Sequence, residues 1–117
     1  GVRASRQILG EASPNMQQVR NTRFPDTVAK PYAEESMRLP YGTLLPQGVE
    51  QLLVAGRCIS ADEESMGQLR LIPVCSATGQ AAGVAAALAA QQATPPRKLD
   101  VALLQRALTA QGTDLGV

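Results

Sequence analysis

Leu52-Leu53-Val54-Ala55-Gly56-Arg57-Cys58-Ile59-Ser60, followed after a loop by Ala77-Thr78-Gly79-Gln80-Ala81-Ala82-Gly83, decides the fold. The run from Gln51 to Ala55 is continuously apolar after its first residue. It predicts a strand buried on both faces, as in a parallel sheet. Gly56 turns the chain out of that strand. Residues from Gly56 to Ile72 form a long irregular loop carrying Asp62, Glu63 and Glu64. Pro73 stops any earlier helix and opens a new one, which runs from about Cys75 or Ser76 to about Gln92. Alanine supplies its propensity, offset by Gly79 and Gly83 near its start. Strand, turn and small-residue helix together predict an α/β fold.

Working outward, Asp100 caps a second helix. Leu103, Leu104, Ala107 and Leu108 form its apolar stripe and Gly112 its stop. On the other side, Arg6 to Glu11 has strand character. Asn15 to Arg20 predicts a short helix with Ser13 as cap and Pro14 at its first position. Pro25, Pro31, Pro40 and Pro46 break the stretch from Asn21 to Pro46 into extended loop, with one short strand near Leu39 to Leu45. The chain therefore divides into residues 1–46, a strand with a proline-rich segment, and residues 47–117, a strand-loop-helix-helix unit.

The chain has 117 residues, one domain or part of one. The apolar fraction is 44%, yet aromatics are only 3% and alanine supplies much of the rest. Alanine buries little area, so a core built from it is thin and calls for packing against a further domain, a second copy or a cofactor. A net charge of +1, with no basic patch interleaved with aromatics, argues against nucleic acid. No charged-then-apolar leader follows Gly1, and the stretch Gly83 to Ala90 is too short to span a bilayer. No membrane partner is expected, and the expected location is cytoplasmic. Cys58 and Cys75 make neither a disulfide framework nor a metal site; the sequence allows a single bridge between them, and two buried reduced thiols are the favoured reading. The chain has no histidine, so it cannot build a Ser-His-Asp or Cys-His arrangement by itself.

Each candidate residue carries two readings. Gly56 permits backbone contact with a ligand, and Arg57 can meet a phosphate or carboxylate there; a plain turn with a solvated arginine has the same sequence. Thr78, Gly79, Gln80 and Ala81 mark a helix start whose amides and dipole favour negative charge, with Gly79 admitting a large flat group. A small-residue helix packed closely on a neighbour has the same sequence too. Glu63 with its acidic neighbours does acid–base work if burial raises one pKa, and is otherwise a solvated loop. Arg70, set among apolar residues, either flanks a strand edge or points into a site. Arg3 and Arg6 read as surface residues.

Taken in order, these motifs resemble the C-terminal part of FAD-dependent oxidoreductases of the glutathione-reductase-like superfamily. The resemblance rests on Gly56-Arg57-Cys58-Ile59-Ser60-Ala61, then Gly67, Arg70, Pro73 and Cys75, then Thr78-Gly79-Gln80-Ala81-Ala82-Gly83. Gly1, Arg3, Arg6, Ile8 and Gly10-Glu11 also match, as do Phe24-Pro25-Asp26 and Leu39-Pro40-Tyr41 leading to Leu44-Leu45-Pro46. It implies a partial, Rossmann-like FAD-binding domain with a few strands, a long alanine-rich helix and a C-terminal helix. It implies that Gly56, Arg57, Thr78, Gly79, Gln80 and Ala81 lie near FAD, with Arg70 and Glu63 as catalytic candidates towards a small-molecule substrate. No G-x-G-x-x-G fingerprint occurs in the chain. The resemblance therefore makes it the last portion of a longer protein, and the isolated chain is expected to be inactive and to bind FAD weakly or not at all. Glu63 stands where the family loop often has a histidine, and Gly42 where an arginine is common. The expected partners are the remainder of the FAD-binding domain or a second copy. The alternative is a non-catalytic module or subunit that keeps the fold remnant and associates with itself.

Overall fold

In the computed structural model, residues 7–22, 24–32, 37–62, 69 and 71–115 are described. Helix α1 (Met16–Asn21) opens with a reciprocal cap: Asn15 Oδ1 accepts the Gln18 amide at 2.9 Å and Gln18 Oε1 accepts the Asn15 amide at 3.0 Å. Asn15 is thus the cap in place of Ser13, and Pro14 precedes the helix. Strands β1 (Thr27–Ala29) and β2 (Leu39–Pro40) form a two-stranded antiparallel sheet, with Thr27 opposite Pro40 and Ala29 opposite Leu39. The strand expected over Leu39 to Leu45 stops after two residues. The chain turns there into a one-turn 3-10 helix, Tyr41–Leu44, fastened by Thr43 Oγ1 donating to the Pro40 carbonyl at 2.8 Å. Gly42 makes that turn possible by close approach, because a Cβ on it would lie 2.7 Å from Ala12 Cβ.

The segment Gln51 to Ala55 corrects the sequence expectation. Gln51 lies in a turn, and no strand ladder forms on the apolar residues 52–55 among the described residues. The Val54 amide donates to the Leu44 carbonyl at 2.9 Å, and Leu52 is 46% exposed. A strand is made by its neighbour, and no neighbouring strand lies beside this one among the described residues.

Helix α2 (Ile72–Gln92) starts three residues before Cys75. Pro73 sits in its first turn, where a missing N–H leaves no bond unmade. Ala93 ends it in the left-handed conformation, φ +51°, and the Thr94 amide folds back onto the Ala89 carbonyl at 3.0 Å. Helix α3 (Val101–Ala110) follows as read: the Asp100 carboxylate caps it through the Ala102 amide at 3.0 Å, Leu104 and Leu108 are buried, and Gly112 (φ +93°) turns the chain out.

The result is a mixed α/β fold, consistent with a partial α/β domain. One core draws on both sides of position 46. Val19, Leu39 and Leu44 meet Ile59, Leu104 and Leu108 in it. Tyr41 reaches across this core to donate its hydroxyl to the Pro96 carbonyl at 2.8 Å, and burial pushes its pKa up to about 12. By contrast, α2 inserts only Val74, Thr78, Ala81, Ala85 and Ala89. Its other face is exposed, and at Gly79, Gly83, Ala86, Ala87 and Ala90 it carries nothing larger than a methyl group. At 21 residues, α2 is long and apolar enough to cross a membrane, a test that core helices of other folds also pass. Neither cysteine forms a disulfide; Cys58 is exposed and Cys75 half-buried, so neither is the buried thiol expected.

Candidate functional site

Gly56 adopts φ +81°, a conformation that favours glycine. It opens the short 3-10 turn Gly56–Cys58 directly after the extended segment. Its amide donates to Thr78 Oγ1 at 3.0 Å, and the Thr78 hydroxyl in turn donates to the Val74 carbonyl at 2.8 Å. Thr78 is fully buried. Its single proton goes to the helix and its lone pair to the turn, so one hydroxyl joins the two motifs that the sequence set apart by about twenty residues. Cys75 Sγ lies 3.8 Å from where a Cβ on Gly56 would sit. The turn after the apolar run and the first turns of α2 thus form one wall.

The wall has a different make-up from the expected one. The helix starts at Ile72, so Thr78, Gly79, Gln80 and Ala81 lie in its second and third turns. Amides there serve the carbonyls four residues back and not a ligand. The amides at the amino end belong to Ile72 and Val74. At 100° per residue the four also separate: Thr78 and Ala81 turn inward and are fully buried, while Gly79 and Gln80 face outward. Gln80 Nε2 donates to Gln111 Oε1 at 2.9 Å and Thr113 Oγ1 at 3.0 Å, which pins α2 to the end of α3. Open space surrounds Gly79 and Gly83: a Cβ added at either would meet nothing within 4 Å. Arg57 is exposed beside Gly56. Glu63, Glu64, Arg70, Arg3, Arg6 and Gly67 lie outside the described residues.

Two hollows flank α2. An open groove of about 530 Å³ runs between Gln51 and Leu53 on one side and Gly83, Ala86 and Ala90 on the other, closed at one end by Pro96. Arg97, next to that end, reaches Glu50 at 2.7 Å and Glu11 at 3.6 Å. These are exposed pairs of the kind that contribute about 0–1 kcal/mol. A second hollow of about 450 Å³ lies against the first turns of α2, between Lys30, Pro31, Pro73, Ser76, Gln80 and Asp114. Sequence reasoning missed both. The recurrence of Gly83, Ala86 and Ala90 at helical spacing was a usable signal for the first. For the second there was none, because only the fold brings Lys30 to Ser76. Among the described residues no three His, Cys, Asp or Glu side chains gather into a metal site.

The family model for FAD dependent oxidoreductases matches residues 30–108, a span that holds β2, the Gly56 turn, all of α2 and most of α3. No curated protein and no solved structure matches the chain. The match covers the two elements that the Thr78 hydroxyl joins and well over half of the chain, and the chain belongs to the FAD dependent oxidoreductase family.

Proposed function

We propose that this chain is the C-terminal portion of an FAD-dependent oxidoreductase of the glutathione-reductase-like kind, and that it forms the flavin-ring end of the cofactor pocket. The observation that carries this reading is the 3.0 Å bond from the Gly56 amide to Thr78 Oγ1. It brings the turn and the helix to one wall, while Gly79 and Gly83 leave the outward face of α2 bare. These residues fit the ring end of the cofactor. They do not fit its ADP end, since the chain has no glycine-rich fingerprint to hold a pyrophosphate.

When bound, FAD supplies the two-electron chemistry of hydride transfer with a small-molecule substrate. The chain's own part is to shape and polarise the wall. Gly56 presents backbone without a side chain, and Thr78 holds it in place from behind. Arg57 offers a planar guanidinium suited to a phosphate or carboxylate. The amino end of α2 contributes the positive end of a helix dipole, which favours negative charge nearby. Ala81 supports the helix from the core, and Gln80 fixes it to α3. Glu63 and Arg70 remain the candidates for the substrate side.

Hydride transfer needs the rest of the domain. The unladdered, partly exposed segment from Gln51 to Ala55 favours a partner that adds strands to it, namely the remainder of the FAD-binding sheet. FAD titration followed by flavin fluorescence tests the reading in two arms. The lone chain binds weakly or not at all, and a submicromolar affinity would refute that point. Coexpression with a fingerprint-bearing FAD-binding half of the same family gives a yellow complex. A complex that forms but stays colourless removes the chain from the flavin site. The same partly exposed segment favours a second reading, self-association of a non-catalytic remnant. Light scattering that shows a dimer which does not yield to that FAD-binding half would support the second reading over the first.

A further inference from the structure

Beyond α3 the chain stays tied to the fold. Gly112 (φ +93°) turns it towards α2, and the Thr113 amide donates to the Leu108 carbonyl at 3.1 Å. Leu115 then enters the core, 2% exposed. Between these two anchors lies a short strap whose packing is open. Thr113 and Asp114 line two hollows at once: the one of about 450 Å³ against the first turns of α2, and another of about 290 Å³ shared with Thr109 and Gly112. A side-chain pair ties the strap to α2. Gln80 Nε2 donates to Thr113 Oγ1 at 3.0 Å, and the Thr113 hydroxyl donates back to Gln80 Oε1 at 3.2 Å. Gln80 is exposed and Thr113 half-buried, so water competes for both bonds.

We propose that residues 112–115 form a gate over the hollow at the first turns of α2, hinged at Gly112 and latched by the Gln80–Thr113 pair. Gly112 suits a hinge. Its backbone conformation is one that side chains disfavour, and a Cβ placed there would meet nothing within 4 Å, so the turn has room to move. Leu115 keeps the closed form the populated one, because opening draws its side chain out of the core. The latch sets how often the gate opens. Its bonds are made at the surface, and water takes them over when they part, which makes the pair a catch and not a framework contact. When the pair parts and Leu115 withdraws, the two hollows join and the side of α2 that bears Ser76 and Gln80 is uncovered. Leu104 and Leu108 of α3, both fully buried, are not part of the moving piece. The gate is observable without flavin, so its failure and that of the cofactor reading are separate results.

The test uses the full 117-residue chain and amide exchange resolved by NMR over a series of low urea concentrations. The Thr113 amide is expected to exchange by local opening, at a rate that urea does not change, while the Leu108 amide follows global unfolding and speeds up with urea. Gln80→Ala is expected to raise the Thr113 rate about tenfold, the loss of about one net hydrogen bond. It leaves the Leu108 rate unchanged or lower, since alanine favours the helix. Thr113→Val is expected to match Gln80→Ala, and the double variant to match either single one, because both changes undo the same latch. A soluble nitroxide relaxes the Leu115 methyls more strongly in Gln80→Ala than in the wild type. Thr113 and Leu108 amides that exchange together at every urea concentration overturn the proposal, and so does a Thr113 rate that Gln80→Ala leaves unchanged.

Discussion

Replacing Thr78 by valine removes one oxygen and little volume, which isolates the work of the hydroxyl. The Val74 carbonyl keeps its helical partner, the Thr78 amide, so it is not orphaned. The Gly56 amide is orphaned: its 3.0 Å acceptor is gone. An amide left unpaired on burial costs about 1–3 kcal/mol. Gly56 is only half-buried, so water can reach part of the site and the expected loss is the lower half of that range, about 1–2 kcal/mol. A urea melt followed by circular dichroism reads it. With a slope of about 1.5 kcal/mol per molar, the midpoint falls by roughly 1 M at unchanged slope. Thr78→Ser is the control. It keeps the hydroxyl and loses a buried methyl, about 1 kcal/mol by transfer alone, and it preserves the turn. The two variants differ in a third readout, amide exchange at Gly56, which accelerates in the valine variant and not in the serine one. Equal exchange rates in both would refute the reasoning, whatever the melts show.

Tyr41 gives a pH signature. Burial raises its pKa to about 12 from 10.0, so the unfolded chain ionises first as pH rises. The stability tied to the neutral phenol is complete below pH 10 and drains away as pH climbs towards about 12. Tyr41→Phe should flatten that slope in melts taken between pH 8 and 11, at a cost at neutral pH of about 1 kcal/mol for the lost bond to Pro96; an unchanged slope counts against the burial argument. Alanine at two glycines should have opposite signs. Gly79→Ala stabilises the lone chain by about 0.5–1 kcal/mol, because the site is helical and open. Gly56→Ala destabilises by about 1–2 kcal/mol through its left-handed backbone. Thermal melts of both variants in one buffer decide it, and matching signs would show that the backbone at one of them is not as described.

Local signals carried as far as local physics reaches. The whole of α3 was legible, because an Asp cap, an apolar stripe and a closing glycine are all written within thirteen residues. The start of α2 was misplaced to Cys75. Ile72 and Val74 are β-branched and weak helix formers; packing decides the inclusion of Val74, which is fully buried, while Ile72 is exposed and begins the helix beside Pro73. The cap of α1 was given to Ser13, whereas the side chain of Gln18 selects Asn15 by reaching back to its amide. The apolar run from Leu52 to Ala55 was legible, but pairing belongs to a neighbour that a single strand cannot specify. At the site, the meeting of Gly56 with α2 came from the ordered motifs. The opposed directions of Thr78 and Gly79 follow from helical rotation once the helix is known to be continuous. Lys30 beside Ser76 is a product of the fold alone.

The bare side of α2 has one more consequence. Where side chains make a surface, selection can improve grip by exchanging one for another. Gly79 and Gly83 leave peptide units bare there, and Ala86 and Ala90 add only methyl groups, so a substitution at either glycine adds bulk to a nearly flat outline. Against a flat partner such as the ring of the proposed function, contact on this stretch would depend on the smoothness of the outline more than on any one side chain.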